Sequence, residues 1–301
     1  MKLKSIIYIV VFFTLCYSNN IAISQNDTLL NKKRLYIFSG ATTTAYTGSM
    51  LMLNELWYKN YLHSSFHLFD DRKEWLQMDK LGHSFSAYYL SSALISGFEW
   101  SKMNHNKSVL YGSGIAFIAM SGIEIFDGFS SKWGASLTDL TANFSGSLLY
   151  ASQEILFKKQ ICRIKFSYHP TNWPKYRPDA LGENNFQSII KDYNGQTYWL
   201  SCNLKSITGI KKMPGWLNIA VGYSGENMLG GIDNYGITTE TIIPISDRYR
   251  QYYLSLDADL TQIKVKSKLL KSVFKAFNCL KIPFPALVFE KNNFRMKSIY
   301  F

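Results

Sequence analysis

The sequence predicts a mainly α chain with a smaller α+β part: a four-helix, membrane-associated bundle followed by a basic, strand-containing region. Three observations predict it. Long uncharged runs dominate the first half, alternating apolar patterns bounded by turn residues appear only in the second, and the charge is unevenly placed. Residues 1–157 hold 12 Lys and Arg against 11 Asp and Glu, whereas residues 158–301 hold 21 against 10, so nearly all of the net charge of +12 is C-terminal. With 47% hydrophobic and 16% aromatic residues, the chain has enough apolar surface to fold.

Residues 1–24 read as a secretory signal peptide: Lys2 and Lys4, then an apolar run, then Ala22-Ile23-Ser24 as a small-residue cleavage site. Cys16 is a poor lipidation site, because Thr14 and Leu15 stand where small residues usually precede a lipidated cysteine. The other cysteines, Cys162, Cys202 and Cys279, show no CxxC spacing, which argues against a disulfide framework or a zinc site while leaving a single disulfide open.

The helical bundle is assigned to residues 25–157. Residues 35–54 form a twenty-residue stretch without charge, long enough to span a membrane. The uncharged runs 84–98, 108–123 and 140–153 have 15, 16 and 14 residues, between a buried core helix and a membrane-embedded segment. Small residues at helix-contact spacing, such as Ala142 and Gly146, let backbones approach closely. Few charges lie on any face, which favours membrane embedding over a soluble bundle.

Residues 158–301 form the basic region with short strands and an amphipathic helix. Prolines 170, 174 and 178 mark an irregular connector, and residues 196–204, 217–223 and 254–260 read as strands. Ile263, Leu269, Leu270, Val273, Phe274 and Phe277 then make an apolar stripe opposite Lys264, Lys268, Lys271 and Lys275. Such a helix either packs on its own domain or lies on an anionic membrane, where those four lysines would contact lipid or another polyanion. The C-terminal segment is strand-like, but Lys297 is expected on the face that lipid would cover and few strands precede it, so a classical membrane barrel is rejected.

Candidate functional residues are polar groups inside the apolar first half. Asp79 and His83 share a helix face at i, i+4, as do Asp139 and Asn143, and Glu124 and Asp127 are neighbours at i, i+3. Asp79 and His83 could act as a general-base pair, Lys80 or Asn143 could orient a substrate, and Glu124, Asp127 and Asp139 could hold a divalent cation. The competing reading is a buried hydrogen-bond network that fixes how the helices dock. No metal or other cofactor is expected by default, since one histidine is too few for a zinc site. The absence of GxSxG, P-loop, HExxH and CxxC patterns removes the common hydrolase, nucleotide-binding and zinc classes.

Asp79-Lys80-x-x-His83, Glu124-x-x-Asp127 and Asp139-x-x-x-Asn143-x-x-Gly146 after a signal peptide resemble the YfiM-like family of predicted periplasmic lipoproteins, a domain of unknown function. The segment 191–201 looks like the longer members found in Bacteroidetes-type Gram-negative bacteria. The helical motifs are also distantly similar to the VanZ-like membrane family. These resemblances imply a four-helix, membrane-associated fold in the cell envelope and no established reaction. The expected function is therefore that of an exported envelope protein that binds or scaffolds, with membrane or anionic envelope lipid as partner, no nucleic acid, and no protein partner named. The alternative is an envelope hydrolase or transferase acting on a lipid-linked or phosphorylated substrate.

Overall fold

The computed structural model describes residues 29–58, 61–234 and 247–300, so the signal segment and Cys16 lie outside the described residues. The fold is a more even mixture of α and β than the sequence predicts: four long helices, then a six-stranded antiparallel sheet. The chain divides into two units. One holds the described residues up to Asp70 together with Ala87–Ile155; the other holds Asp71–Ser86 and Leu156–Phe301. Asp71–Ser86, which the sequence reading kept with the helices, therefore groups with the sheet.

The helical unit is built from α1 (Lys32–Leu53), most of α2 (Met78–Trp100), α3 (His105–Gly128) and α4 (Leu137–Phe157). Asn31 caps α1 through the Arg34 amide, and Asn104 caps α3 through that of Asn106, satisfying amides that a helix start leaves without partners. Leu35, Leu94, Phe98 and Ala116 form one core cluster of this unit. Glycine makes the close contacts: a Cβ on Gly97 would sit 2.0 Å from the Phe38 ring, and one on Gly112 would sit 2.8 Å from the Ile95 backbone nitrogen. Small residues at the contacts leave the large apolar ones outside. Leu110, Ile118 and Ile125 on α3 are exposed, as are Phe144, Leu148 and Ile155 on α4. By length and composition α3 is apolar enough to cross a membrane.

In the second unit the strands run in chain order as β1 (Cys162–Tyr168), β2 (Gln196–Asn203), β3 (Leu217–Glu226), β4 (Tyr249–Ala258), β5 (Phe284–Glu290) and β6 (Asn293–Tyr300). β1 escapes the sequence reading because Arg163, Lys165 and Ser167 interrupt its apolar residues; Lys165 is fully buried against Asp257, with Nζ 2.8 Å from Oδ2. The outer edge of β1 is covered where the Phe166 amide donates to the Cys279 carbonyl and the Lys281 amide to the Phe166 carbonyl. Cys162 and Cys202, directly opposite in the β1–β2 ladder, are joined by a disulfide.

Both faces of this sheet carry apolar side chains, and one of them is only partly covered. Trp199, Ala220, Tyr253, Ala286, Val288 and Tyr300 form a core on one face, where Ser201, Ser224, Gln251 and Asp257 are also buried. On the other face one cross-strand row reads Ile164, Leu200, Val221, Leu254, Leu287 and Met296, and the next reads Phe166, Tyr198, Tyr223, Tyr252, Phe289 and Phe294. Val221 is 57% exposed and Met296 72%. Lys297 is not on that face: it pairs with Ala286 on the inner side, its Nζ 4.3 Å from the Tyr300 ring centroid.

The disulfide closes a sequence separation of 40 residues. Replacing both cysteines by alanine is expected to lower stability by about 2–4 kcal/mol. Chemical denaturation checks this: dithiothreitol should lower the midpoint of the wild type and leave that of the double variant unchanged.

Candidate functional site

The sequence-predicted polar residues fall into two groups, one in each unit. In the helical unit Glu124 is 1% exposed near the end of α3. Its Oε2 accepts the Ser136 amide at 3.1 Å, and Ser136 caps α4 by accepting the Asp139 amide on its Oγ at 3.0 Å. Carboxylate oxygens of Glu124 and Asp139 lie within 4.8 Å of one another. Two buried carboxylates this close repel one another when both are charged. Asn143 and Ser147 follow Asp139 at helical spacing and are also buried, giving α4 a polar inner side.

Asp127 serves a different purpose. Its Oδ1 accepts the Tyr58 hydroxyl at 2.7 Å, and burial followed by the Asp127 charge pushes the Tyr58 phenol well above its usual pKa. This bond anchors the segment after α1; Glu124 and Asp127, although neighbours on α3, thus have separate partners.

In the sheet unit, Asp79, Lys80 and His83 lie on the first turns of α2. The Lys80 ammonium bridges Asp79, at 2.7 Å, and Asp71. Carboxylate oxygens of Asp71 and Asp79 are within 4.8 Å of one another. The Asp79 Oδ1 is buried with no hydrogen-bond partner among the described residues, and burial raises the Asp79 pKa although Lys80 pulls it down. Asp71 was not singled out from the sequence, where Asp70-Asp71-Arg72 reads as a solvated charge run. Only its buried partner marks it. Gly82 faces Tyr198: a Cβ there would sit 3.0 Å from the Tyr198 hydroxyl, which donates to Gln196 Oε1.

The turn that launches α2 is strained. Trp75, Leu76 and Gln77 have φ of 46°, 51° and 67°, a left-handed run that costs roughly 1–2 kcal/mol per residue. Three bonds hold it: the Trp75 amide to the Gly231 carbonyl at 2.6 Å, the Tyr223 hydroxyl to the Leu76 carbonyl at 2.6 Å, and the Arg250 guanidinium to Gln77 Oε1 at 2.9 Å. The sheet thereby sets where Asp79, Lys80 and His83 begin.

The lysines of the amphipathic stripe are placed differently. Residues Lys268–Phe277 form helix α5, capped by Ser267 and with no buried residue; Lys264 precedes it. Its apolar side is partly exposed, with Leu269 at 76% and Phe277 at 56%, whereas Phe274 is half-buried.

Lys80→Met is expected to cost about 3–5 kcal/mol, because it leaves two buried carboxylates without the cation between them. Asp79→Asn keeps the Lys80–Asp71 pair and should leave stability unchanged or raised. The sign follows from protons bound. Native Asp79 keeps its proton above the ordinary carboxyl range, where the unfolded chain has lost it, so wild-type stability falls as pH rises through that window. Asp79→Asn should remove that fall, as urea denaturation at several pH values measures.

Comparison with known proteins adds one finding. Residues 67–153 match the family described as Predicted periplasmic lipoprotein (DUF2279). No curated protein and no solved structure matches the chain. The matched stretch contains Asp71, Asp79, Lys80, His83, Glu124, Asp127, Asp139 and Asn143, so both polar groups lie within it. The family supports an exported, cell-envelope location, as the signal segment predicts, and it is the family that the motifs resemble: residues 67–153 are similar to the predicted periplasmic lipoprotein family of unknown function.

Proposed function

We propose that this exported envelope protein is held in a lipid bilayer by its helical unit and there binds or scaffolds envelope components without catalysing a reaction. The carrying observation is the inside-out order of α4. Asp139, Asn143, Ser147 and Tyr150 recur at helical spacing on the buried side, whereas Leu137, Phe144, Leu148 and Ile155 recur on the exposed side, with Leu148 at 50%. A helix in water turns its polar stripe outward. A bundle in lipid turns polar groups inward, where they hydrogen-bond one another and fix how the helices dock.

In cells the protein should remain in the membrane pellet after alkaline carbonate extraction, and so should the variant Cys16→Ser. Release of Cys16→Ser into the soluble fraction would overturn the reading and leave a water-soluble domain on a lipid anchor.

One observation favours a second reading, an envelope hydrolase or transferase using a divalent cation. It is the paired carboxylates, Glu124 with Asp139 and Asp71 with Asp79, each within 4.8 Å. Glu124 and Asp139 would hold the cation, which would polarise a phosphoryl or carbonyl oxygen. Added Mg2+, Mn2+ or Zn2+ would then raise the unfolding temperature of the wild type and not of Glu124→Gln. The binding reading expects no such shift.

A further inference from the structure

We propose that one end of the sheet is a docking surface for an anionic lipid bilayer. In an antiparallel meander the β2–β3 and β4–β5 connections emerge at the same end, and here they touch: the Asp259 amide donates to the Trp216 carbonyl at 2.7 Å. The first connection carries Lys205, Lys211 and Lys212, and the second carries Lys264, Lys266, Lys268, Lys271 and Lys275. Neither residues 204–217 nor residues 260–278 contain an Asp or Glu. Lys159 adds to the same end, its Nζ 3.2 Å from the Ser206 hydroxyl.

The same connections carry apolar side chains that are exposed among the described residues. Ile207 and Ile210 are 56% and 51% exposed on the first connection, and Leu269, Val273 and Phe277 are exposed along α5. An exposed apolar patch beside cations fits a surface that is negative outside and hydrocarbon beneath, which is an anionic membrane. A soluble polyanion would match the charge and leave the apolar side chains in water. The outer face of the sheet continues the patch. The row of Ile164, Leu200, Val221, Leu254, Leu287 and Met296 lies two residues, about 7 Å, from the level of Cys162 and Cys202. In the next row, another two residues on at about 14 Å and close to the depth of one leaflet, only Tyr252 and Phe294 are exposed, because Tyr198 is buried beside Leu76, Met78 and Met228 with Phe166 and Tyr223 packed against it. That depth allows entry into one leaflet and is too small to span two.

The test uses the full chain with Cys279→Ser, so that the disulfide stays intact, and a nitroxide at Ile210→Cys or Val273→Cys. The protein is reconstituted into vesicles of phosphatidylcholine with or without phosphatidylglycerol, and the labels are read by their collisions with oxygen and with a water-soluble nickel chelate. Both labels should pass from nickel-accessible to nickel-protected when phosphatidylglycerol is present. The variant Lys268→Gln, Lys271→Gln, Lys275→Gln should lose that protection. Nickel access unchanged by lipid charge would overturn the proposal, as would equal protection by soluble heparin. Spin–spin broadening at these labels would overturn it in favour of a second copy of the chain. A label at Leu148→Cys reports separately on the helical unit, whose embedding does not depend on lipid charge, so the two readings can fail independently.

Discussion

A charged or amide side chain can stay inside an apolar protein only when it meets a partner there, and both units are built around that constraint. Lys165 and Asp257 are each fully buried and survive because the carboxylate also accepts the Ser201 hydroxyl and the Ile282 amide. Lys80 sits between Asp71 and Asp79; Glu124 takes the Ser136 amide, and Asp127 takes the Tyr58 hydroxyl. The Lys165–Asp257 and Tyr58–Asp127 pairings join segments distant in sequence. Apolar contacts tolerate sliding, whereas a donor moved by one residue loses its acceptor, so these bonds select a single register for helices whose apolar patterns select it weakly.

With polar groups inside, the large apolar side chains lie outside. On α4 the two sets occupy opposite sides of one helix, and in the sheet the buried polar groups share the inner face with an aromatic core while Leu200, Val221, Leu254, Leu287 and Met296 are exposed on the other. Exposed apolar sides in a helical and a β context, each unit taken by itself, are hard to assign to packing faults. A soluble fold with this many exposed leucines would gain stability from any contact that covered them, at about 25 cal/mol per Å². Lipid covers such surfaces without needing a specific partner.

The sequence showed the helices because uncharged runs of that length have few alternatives, and it showed Asp79, His83, Glu124, Asp139 and Asn143 because polar residues there are conspicuous. It concealed much of the sheet. Arg163 and Lys165 interrupt β1, and Arg295 and Lys297 interrupt β6, so a rule that charges face water turns those strands inside out. Lys297 is the clearest instance, since a cation over the Tyr300 ring is an inner residue. Asp71 was missed for the complementary reason: beside Asp70 and Arg72 it looks solvated, and only a lysine nine residues later makes it a buried partner. The disulfide was illegible from spacing alone, because Cys162 and Cys202 meet only through the β1–β2 register.

Helix α5 presses the argument furthest. Ten residues are too few for a stable isolated helix, and α5 buries none of them; Ser267 caps its start, and Asn278 at its end is tied to the Leu260 amide and Asp259. Its like-charged lysines at positions 268, 271 and 275 repel one another at helical spacing, which weakens it further in water. Both defects disappear on an anionic interface, where the apolar side is covered and the lysines meet opposite charge. A segment this poorly supported by its own fold, yet with its apolar and basic residues sorted onto separate sides, is organised for a surface outside the protein.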